Sequence, residues 1–244
     1  MVSSRKSSSL VVSTRDLDKS FSKGKRDSVR ILRGINLEVD RGSFVSIVGP
    51  SGSGKSTLLY CLSGLEPLTK GELVLCGEEL SGASRKKRSD VRRKHASFVF
   101  QDYNLISSMT VTENIRLAAK FTKVNLPKRR ISDLLDRFGL NGKGRSYPSE
   151  LSGGQRQRVA LVRALAVNAD VVFADEPTGA LDSNSSRTVL DELHSLTKRG
   201  KTVIIVTHDL EIAARTDRSL VLADGEIIAD RANASADELL AYFN

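Results

Sequence analysis

Gly49-Pro-Ser-Gly-Ser-Gly-Lys55-Ser56-Thr57 is the stretch that decides how this chain folds. It follows an apolar, strand-like run, Phe44–Val48, and precedes a helix-like run, Leu58–Leu62. A strand, a glycine-rich turn and a helix in this order predict a P-loop, where backbone N–H groups and the helix N-terminus bind phosphate. In such a loop the lysine reaches the β- and γ-phosphates, and the serine hydroxyl that follows it holds Mg²⁺.

The alternative is a turn rich in glycine and serine that only caps a helix. The strand and helix patterns on either side favour the P-loop. A P-loop alone indicates only a nucleoside triphosphate, because kinases, GTPases and motor ATPases share it. The residues expected to contact the nucleotide here are Gly49, Pro50, Ser51, Gly52, Ser53, Gly54, Lys55, Ser56 and Thr57.

Length and composition indicate one large domain, or one domain with a small subdomain. The chain has 244 residues, of which 39% are hydrophobic, enough for a sizeable core. No apolar run approaches the roughly 18 residues that a membrane-spanning helix needs. Met1–Ser9 is rich in serine and basic residues but has no apolar centre, so we expect a disordered lead-in and not a secretory signal.

The two cysteines, Cys61 and Cys76, fall inside a predicted helix and a predicted strand. Their spacing matches neither a disulfide framework nor a metal site. We therefore expect unpaired, buried thiols, as in proteins of a reducing cytosol.

The formal net charge is +9, and basic residues cluster at Lys23–Arg26, Arg85–Lys94 and Lys128–Arg130. A solvated surface, an anionic membrane nearby and nucleic acid binding each explain such clusters. Charge alone does not decide between these explanations.

Strand and helix patterns alternate along most of the chain, which predicts a mixed, mainly parallel sheet covered by helices. Helical periodicity without a strand runs from about Asn104 to Gly144. We expect a helical subdomain at about residues 104–166, inserted in a single domain of residues 10–244. The predicted strands are Leu10–Thr14, Ile31–Val39, Phe44–Val48, Leu73–Cys76, Ser97–Phe100, Val171–Ala174, Val203–Thr207, Ser219–Ala223 and Gly225–Ala229.

Leu151-Ser-Gly-Gly-Gln155 is the second informative motif. As S-x-x-Q before a helix it is a capping box, and that role accounts for part of the pattern. A cap does not require two glycines, whereas exposed N–H groups and a serine hydroxyl suit phosphate. Because the helical subdomain carries this motif, we expect it to meet the nucleotide bound to a second copy of the chain.

Val171-Val-Phe-Ala-Asp175-Glu176 is an apolar strand that ends in two carboxylates. Ligands of open α/β sheets bind beyond the carboxyl ends of the strands. Asp175 there is suited to hold Mg²⁺, and Glu176 to take a proton from an attacking water. A strand followed by an acidic turn is the alternative, and the upstream P-loop makes it the weaker one.

For three further residues, Gln101, His208 and Asp182, a functional role can be predicted only in combination with the motifs above. Gln101 follows a predicted strand and is either a loop residue or a contact to Mg²⁺ or water. His208 follows another strand and either begins a helix or donates to a γ-phosphate. Asp182 can cap the helix predicted over Ser186–Leu196, and it can also lie at a seam between two copies.

The order of these motifs closely resembles that of the ATPase subunits of ABC transporters, over nearly all of Leu10–Asp230. The resemblance implies a P-loop NTPase core with an antiparallel β part and an inserted helical subdomain. It also implies a head-to-tail dimer that holds two ATP between the P-loop of one copy and the second motif of the other. The residues implied for that second face are Ser152, Gly153, Gly154, Gln155 and Asp182.

The resemblance assigns roles at the site. Glu176 is the general base, His208 senses the γ-phosphate and Gln101 couples the site to the helical subdomain. Phe21 stands where the family usually has a tyrosine that stacks on adenine, although an ordinary aromatic residue is the alternative. The residues implied to act in catalysis are Glu176, His208, Gln101 and Lys55, and those implied to bind Mg²⁺ are Ser56, Gln101 and Asp175.

Phe98-Val-Phe-Gln101-Asp-Tyr-Asn104-Leu and Asp175-Glu-Pro-Thr-Gly-Ala-Leu-Asp-Ser183 resemble the ATPases of one subgroup, which acts in macrolide export, lipoprotein release, cell division and resistance to antimicrobial peptides. We therefore expect an ATPase homodimer on the cytoplasmic face of the plasma membrane, driving a separate permease and binding no nucleic acid. A soluble ABC-type ATPase acting on nucleic acid or ribosomes is the alternative, and a module that binds ATP without turnover is a third.

Overall fold

The computed structural model describes residues 10–22 and 28–243, and the strands among them form two sheets. The expected lead-in Met1–Ser9 and the basic cluster Lys23–Arg26 lie outside the described residues. The strands are β1 (Leu10–Ser22), β2 (Ser28–Asp40), β3 (Phe44–Val48), β4 (Lys70–Leu75), β5 (Glu78–Glu79), β6 (Ala96–Val99), β7 (Val171–Asp175), β8 (Thr202–Val206), β9 (Arg218–Ala223) and β10 (Glu226–Ala232).

The larger sheet has the strand order β10-β9-β3-β8-β7-β6. Its neighbours pair in parallel from β9 to β6, and β10 pairs antiparallel with β9. The smaller sheet, β2-β1-β4-β5, is antiparallel. The predicted α/β fold, mainly parallel with an antiparallel part, is therefore confirmed.

Apolar side chains of the parallel strands alternate between two packed layers, as a pleated sheet requires. On β8, Ile204 and Val206 belong to the cluster shared with the smaller sheet, whereas Val203 and Ile205 belong to the cluster on the opposite face. All four are at most 1% exposed. Burial of each such side chain contributes roughly 1.5–3 kcal/mol.

Helices cover both faces of the larger sheet. They are α1 (Lys55–Leu62), α2 (Arg85–His95), α3 (Val111–Phe121), α4 (Lys128–Arg137), α5 (Gly153–Ala166), α6 (Ser183–Thr197), α7 (Leu210–Ala213) and α8 (Ala236–Leu240). Capping boxes begin α3 at Thr110, α5 at Ser152 and α8 at Ser235, where the sequence has Ser or Thr followed three residues later by Glu or Gln, the pattern that predicts such a cap. None of the described helices is long and apolar enough to cross a bilayer.

Between residues 104 and 166, all of them described, the regular elements are helices alone. Apolar residues of α3, α4 and α5 pack in the same cluster as those from one face of the larger sheet. The exact boundary of a helical subdomain at 104–166 remains a prediction.

Several predicted element boundaries were wrong. β1 continues to Ser22 instead of ending at Thr14, because β2 and β4 pair with it on either side through irregular registers. The strand Glu78–Glu79 was not predicted. Cys76 lies in the turn after β4, with φ of 51°, and is partly exposed, whereas Cys61 is buried in α1; both thiols are free.

Candidate active site

The carboxyl ends of four parallel strands meet at one cavity of about 550 Å³. The chain leaves β3 into the P-loop, β6 toward Gln101, β7 into Glu176 and β8 toward His208. The predicted residues that line the cavity are Ser51, Gly52, Lys55, Ser56, Gln101, Asp175, Glu176 and His208. The structure therefore brings together all the residues that were predicted to act in catalysis or to bind Mg²⁺.

The P-loop aims the N-terminus of α1 at this cavity. Gly54 is the N-cap of α1 and has φ of 101°, a left-handed conformation that glycine adopts without a steric penalty. Its carbonyl accepts the hydrogen bond from Leu58 N at 2.8 Å, so the helix is regular from its first turn. The free N–H groups of that turn favour an anion.

Lys55 lies folded against its own loop. Its Nζ donates to the carbonyl oxygens of Gly49 and Pro50, each at 2.8 Å. Burial lowers the pKa of this ammonium, and the nearby carboxylates of Glu176 and Asp175 oppose that shift. The lysine is thus held at the loop by acceptors that a phosphate can replace.

Asp175 accepts two hydroxyl hydrogen bonds. Ser56 Oγ donates to Oδ1 at 3.0 Å, and Tyr60 Oη donates to Oδ2 at 2.9 Å. The carboxylate is 1% exposed. Burial and the bond to Asp175 both raise the pKa of the Tyr60 phenol, which keeps it a donor.

The chemistry of Ser56, Asp175 and the P-loop is suited to binding Mg²⁺ and a nucleotide. Carboxylate and hydroxyl oxygens are the hard ligands that Mg²⁺ prefers, and Ser56 and Asp175 supply one of each within hydrogen-bond distance. Ser53 Oγ in the P-loop is buried and has no hydrogen-bond partner among the described residues. An orphaned hydroxyl there is what a loop built around a phosphate group would leave.

Glu176 and His208 form a pair at the cavity. His208 Nδ1 lies 2.9 Å from Glu176 Oε1, and the histidine side chain is 73% exposed while that of the glutamate is 15% exposed. Glu176 has φ of 49°, rare for a residue with a side chain and typical of sites where tertiary contacts impose the backbone. Its carboxylate therefore takes a different direction from that of Asp175.

Gln157 holds in place the turn that follows β7, from Glu176 to Ala180. This side chain on α5 is 1% exposed; its Nε2 donates to Glu176 O at 2.6 Å, and its Oε1 accepts from Ala180 N at 3.0 Å. One side-chain amide thus hydrogen-bonds to the backbone carbonyl of Glu176 and to the backbone N–H of Ala180. The helix that begins at Ser152 is thereby joined to the residue proposed as base.

The second motif does not contribute to the lining of the cavity that contains Lys55. Ser152 is exposed at the N-terminus of α5, where its Oγ accepts from Gln155 N at 3.2 Å. None of residues 152–155, all described, lines the cavity. Gly154 also has a packing role, since a Cβ there would lie 3.0 Å from Ala180 O.

Two other predicted site residues, Asp182 and Phe21, lie outside the lining of the cavity. Asp182 caps α6 by accepting from Ser185 N at 2.9 Å, which confirms its capping role. Phe21 is 41% exposed at the end of β1, and Lys19 Nζ lies 4.4 Å from its ring centroid. Neither residue lines the cavity.

Sequence reasoning missed Tyr60, Tyr103 and Gln157, although Tyr103 and Gln157 line the cavity and Tyr60 contacts Asp175. A signal existed for Tyr60, which lies four residues after Ser56 and so on the same face of α1. No comparable signal identified Gln157, because a polar residue in a helix is usually solvated.

Comparison with known proteins gives a consistent result. Residues 32–179 match the family model described as ABC transporter. The chain is 42% identical over 222 residues to the macrolide export ATP-binding/permease protein MacB of Mannheimia succiniciproducens, an alignment that covers 90% of this chain and 34% of the relative. The MacB of Escherichia coli is 42% identical over 216 residues, covering 88% and 33%. The chain thus spans about a third of the length of these relatives.

Among solved structures, the ATP-binding cassette MJ0796 superposes with a TM-score of 0.86 at 35% identity, covering 92% of this chain and 99% of the other. That structure is described as a dimeric post-hydrolysis state bound to ADP and Pi. A second dimeric structure of the same protein, described as a bacterial ABC transporter cassette, gives the same values.

Proposed function

From the premise that this chain belongs to the ABC transporter family, as an ATP-binding domain, we propose that it is the ATP-hydrolysing subunit that drives a separate transmembrane partner. One observation carries the proposal: Lys55, Ser56, Asp175, Glu176 and His208 converge on one cavity at the carboxyl edge of the parallel sheet. Macrolide export, lipoprotein release and resistance to antimicrobial peptides are the classes of work that we propose for the complete assembly.

At this site the protein mainly positions groups and stabilises charge. Lys55 and the N–H groups of the P-loop bind the phosphates, and Ser56, Asp175 and Gln101 would hold Mg²⁺. When bound, Mg²⁺ would supply positive charge that stabilises the developing charge on the phosphate oxygens. Glu176 accepts the proton of the attacking water, since its carboxylate is largely buried beside the cavity.

His208 completes the arrangement as the donor to the γ-phosphate. Its exposed ring is hydrogen-bonded to Glu176, so it can turn from the carboxylate to a phosphate without disturbing the core. Phe21 supplies the ring face for adenine; its exposed position at the end of β1 supports this assignment.

The site is completed by a second copy of the chain. Ser152, Gly153, Gly154 and Gln155 present a helix N-terminus to solvent, outside the cavity that holds Lys55. A head-to-tail dimer places that N-terminus over the phosphates bound to the other copy, with Asp182 at the seam. The dimeric description of the structural relative supports this arrangement.

A groove lined by residues of α2, β6, α3 and α5 suits a membrane partner. It has a volume of about 510 Å³ and is lined by apolar and basic residues, among them Phe98, Phe121 and Arg92. Phe121 is 64% exposed, an unusual state for a large apolar side chain. An amphipathic cytoplasmic helix of a permease would cover it and hold this subunit at the membrane.

Phosphate release from ATP tests the proposal. We expect the parent chain to hydrolyse ATP only with Mg²⁺, and Lys55→Ala to lose at least about 10²-fold in rate because a donor to the developing charge is gone. Lys198→Ala, at an exposed lysine beyond α6, is the control. Hydrolysis by Lys55→Ala at the parent rate would overturn the assignment, and nuclease-sensitive sedimentation from lysates would favour the nucleic acid alternative.

A further inference from the structure

The carboxylate of Asp175 is buried, and each of its two oxygens accepts a hydrogen bond from the same helix. Ser56 Oγ on α1 donates to Oδ1 at 3.0 Å, and Tyr60 Oη, four residues later on α1, donates to Oδ2 at 2.9 Å. The two oxygens of one carboxylate are thereby distinguished. Oδ1 is on the Ser56 side, where the P-loop ends and α1 begins, and Oδ2 is on the Tyr60 side.

The ring of Tyr60 is itself held by neighbouring aromatic residues. It is tilted by 51° against Phe100, with ring centroids 6.2 Å apart, and Phe100 directly precedes Gln101. Phe100 stacks on Phe98 at 5.5 Å, and Phe98 stacks on Phe173 at 5.7 Å. Because Phe173 is on β7 two residues before Asp175, the row of rings fixes the phenol relative to the carboxylate that it contacts.

We propose that Tyr60 is a positioning residue for Mg²⁺: its hydroxyl holds Oδ2 of Asp175 and so presents Oδ1 to the metal beside Ser56. The inference rests on the proposed function, since it gives Asp175 the role of metal ligand. Tyr60 touches neither the metal nor the nucleotide in this assignment. It acts only through the carboxylate.

Two physical arguments support this role. The terminal torsion of an aspartate is soft and roughly two-fold, so sequence and backbone do not decide which oxygen faces the metal. A hydrogen bond to one oxygen makes that choice. Partners that orient metal ligands typically change metal affinity or activity by about 10–100-fold when they are removed.

A purely structural role for Tyr60 makes a different prediction. If the ring alone mattered, Tyr60→Phe would keep every ring contact and behave like the parent. If the hydroxyl positions Asp175, the same variant leaves a buried carboxylate oxygen without its donor and impairs Mg²⁺ binding. The conservative variant therefore separates the two roles.

The experiment measures ATP hydrolysis against Mg²⁺ concentration at saturating ATP for the parent, Tyr60→Phe and Tyr242→Phe. We expect Tyr60→Phe to raise the half-saturating Mg²⁺ concentration by about tenfold or more, with a loss of less than about threefold in kcat at saturating Mg²⁺. Tyr242→Phe is the matched control, because its hydroxyl also has one hydrogen bond, from Arg231 Nε at 2.8 Å, far from the cavity.

Binding of a fluorescent ATP analogue provides a second readout that needs no turnover. Affinity without Mg²⁺ should be the same in the parent and in Tyr60→Phe, whereas the gain on adding Mg²⁺ should be smaller in the variant. Coincident Mg²⁺ curves for the parent and Tyr60→Phe would overturn the role of Tyr60 and leave the ATPase proposal standing. A parent chain without Mg²⁺-dependent hydrolysis would instead count against the ATPase proposal, and the binding readout would still test Tyr60.

Discussion

The side-chain amide of Gln157 donates to the backbone carbonyl of Glu176 at 2.6 Å, and this bond joins α5 to the turn that follows β7. The same side chain accepts from Ala180 N at 3.0 Å. Glu176 has a left-handed backbone conformation, which costs about 1–3 kcal/mol and persists only where surrounding contacts impose it. Gln157 is one of the groups that impose it.

We expect Gln157→Leu to lower turnover by about tenfold or more, because the turn loses both bonds and Glu176 loses its fixed orientation. Nucleotide affinity should stay within about twofold, since Gln157 makes none of the bonds that hold Lys55 or Ser56. Phosphate release and nucleotide binding measure the two effects separately.

Asn114→Leu is the control for Gln157→Leu. Asn114 is a second buried amide, 2% exposed, that holds the loop before α3 through bonds to Ile106 and Met109, away from the cavity. Both variants should unfold at lower temperature, but only Gln157→Leu should lower the rate per folded molecule. Equal rate losses would show that stability, and not the position of Glu176, explains the effect.

Glu176→Gln should bind ATP and hydrolyse it about 10²–10⁴-fold more slowly than the parent, because the amide cannot accept the proton of water. A stable dimer should then accumulate with ATP, visible by size-exclusion chromatography. Glu226→Gln, at an exposed position on β10, is the control. A turnover rate for Glu176→Gln equal to that of the parent would rule out the proposed base.

Mixing two inactive chains tests the composite site. Lys55→Ala removes the P-loop lysine, and Ser152→Arg blocks the opposite face. Each mixed dimer then contains one site with both defects and one intact site. Random pairing makes half of the dimers mixed, so about a quarter of the parent activity should return in a two-fold dimer. Activity no higher than that of either variant alone would contradict a site shared between copies.

Asp170 should stabilise the fold near neutral pH and not in acid. Burial alone would raise the pKa of its carboxyl, but hydrogen bonds from His95 Nδ1 at 2.6 Å and Arg41 at 3.0 Å outweigh burial, and the net shift is downward. A lowered folded-state pKa adds stability above the unfolded value of about 3.9, and this contribution is lost as the pH falls through the folded value.

Thermal unfolding of Asp170→Asn checks that sign. The variant should lose about 1 kcal/mol and melt about 2–4 °C below the parent near pH 7, with the difference shrinking as the pH falls below the unfolded-state pKa of about 3.9. Asp191→Asn is the control, since its pair with Arg215 is more exposed and should contribute less. A difference that grows in acid would contradict the assigned shift.

Much of the fold could be predicted from local patterns. The P-loop, the three capping boxes and the apolar strands each depend on residues a few positions apart, whose geometry follows from backbone chemistry. The end of β1 could not be predicted in this way, because pairing with β2 and β4 extends it over polar residues. The residues around Phe21 therefore belong to a strand that periodicity alone did not reveal.

At the cavity, residue types and their order along the chain sufficed to predict that Lys55, Asp175, Glu176 and His208 meet, since each ends or follows a strand that reaches the same sheet edge. Only the tertiary structure shows that Tyr60 contacts Asp175, 115 residues away, and that Gln157 holds the turn at Glu176. The physical reason is that a hydrogen bond between distant side chains depends on how α1 and α5 pack against the sheet. That packing is a property of the whole core, and no short stretch of sequence contains it.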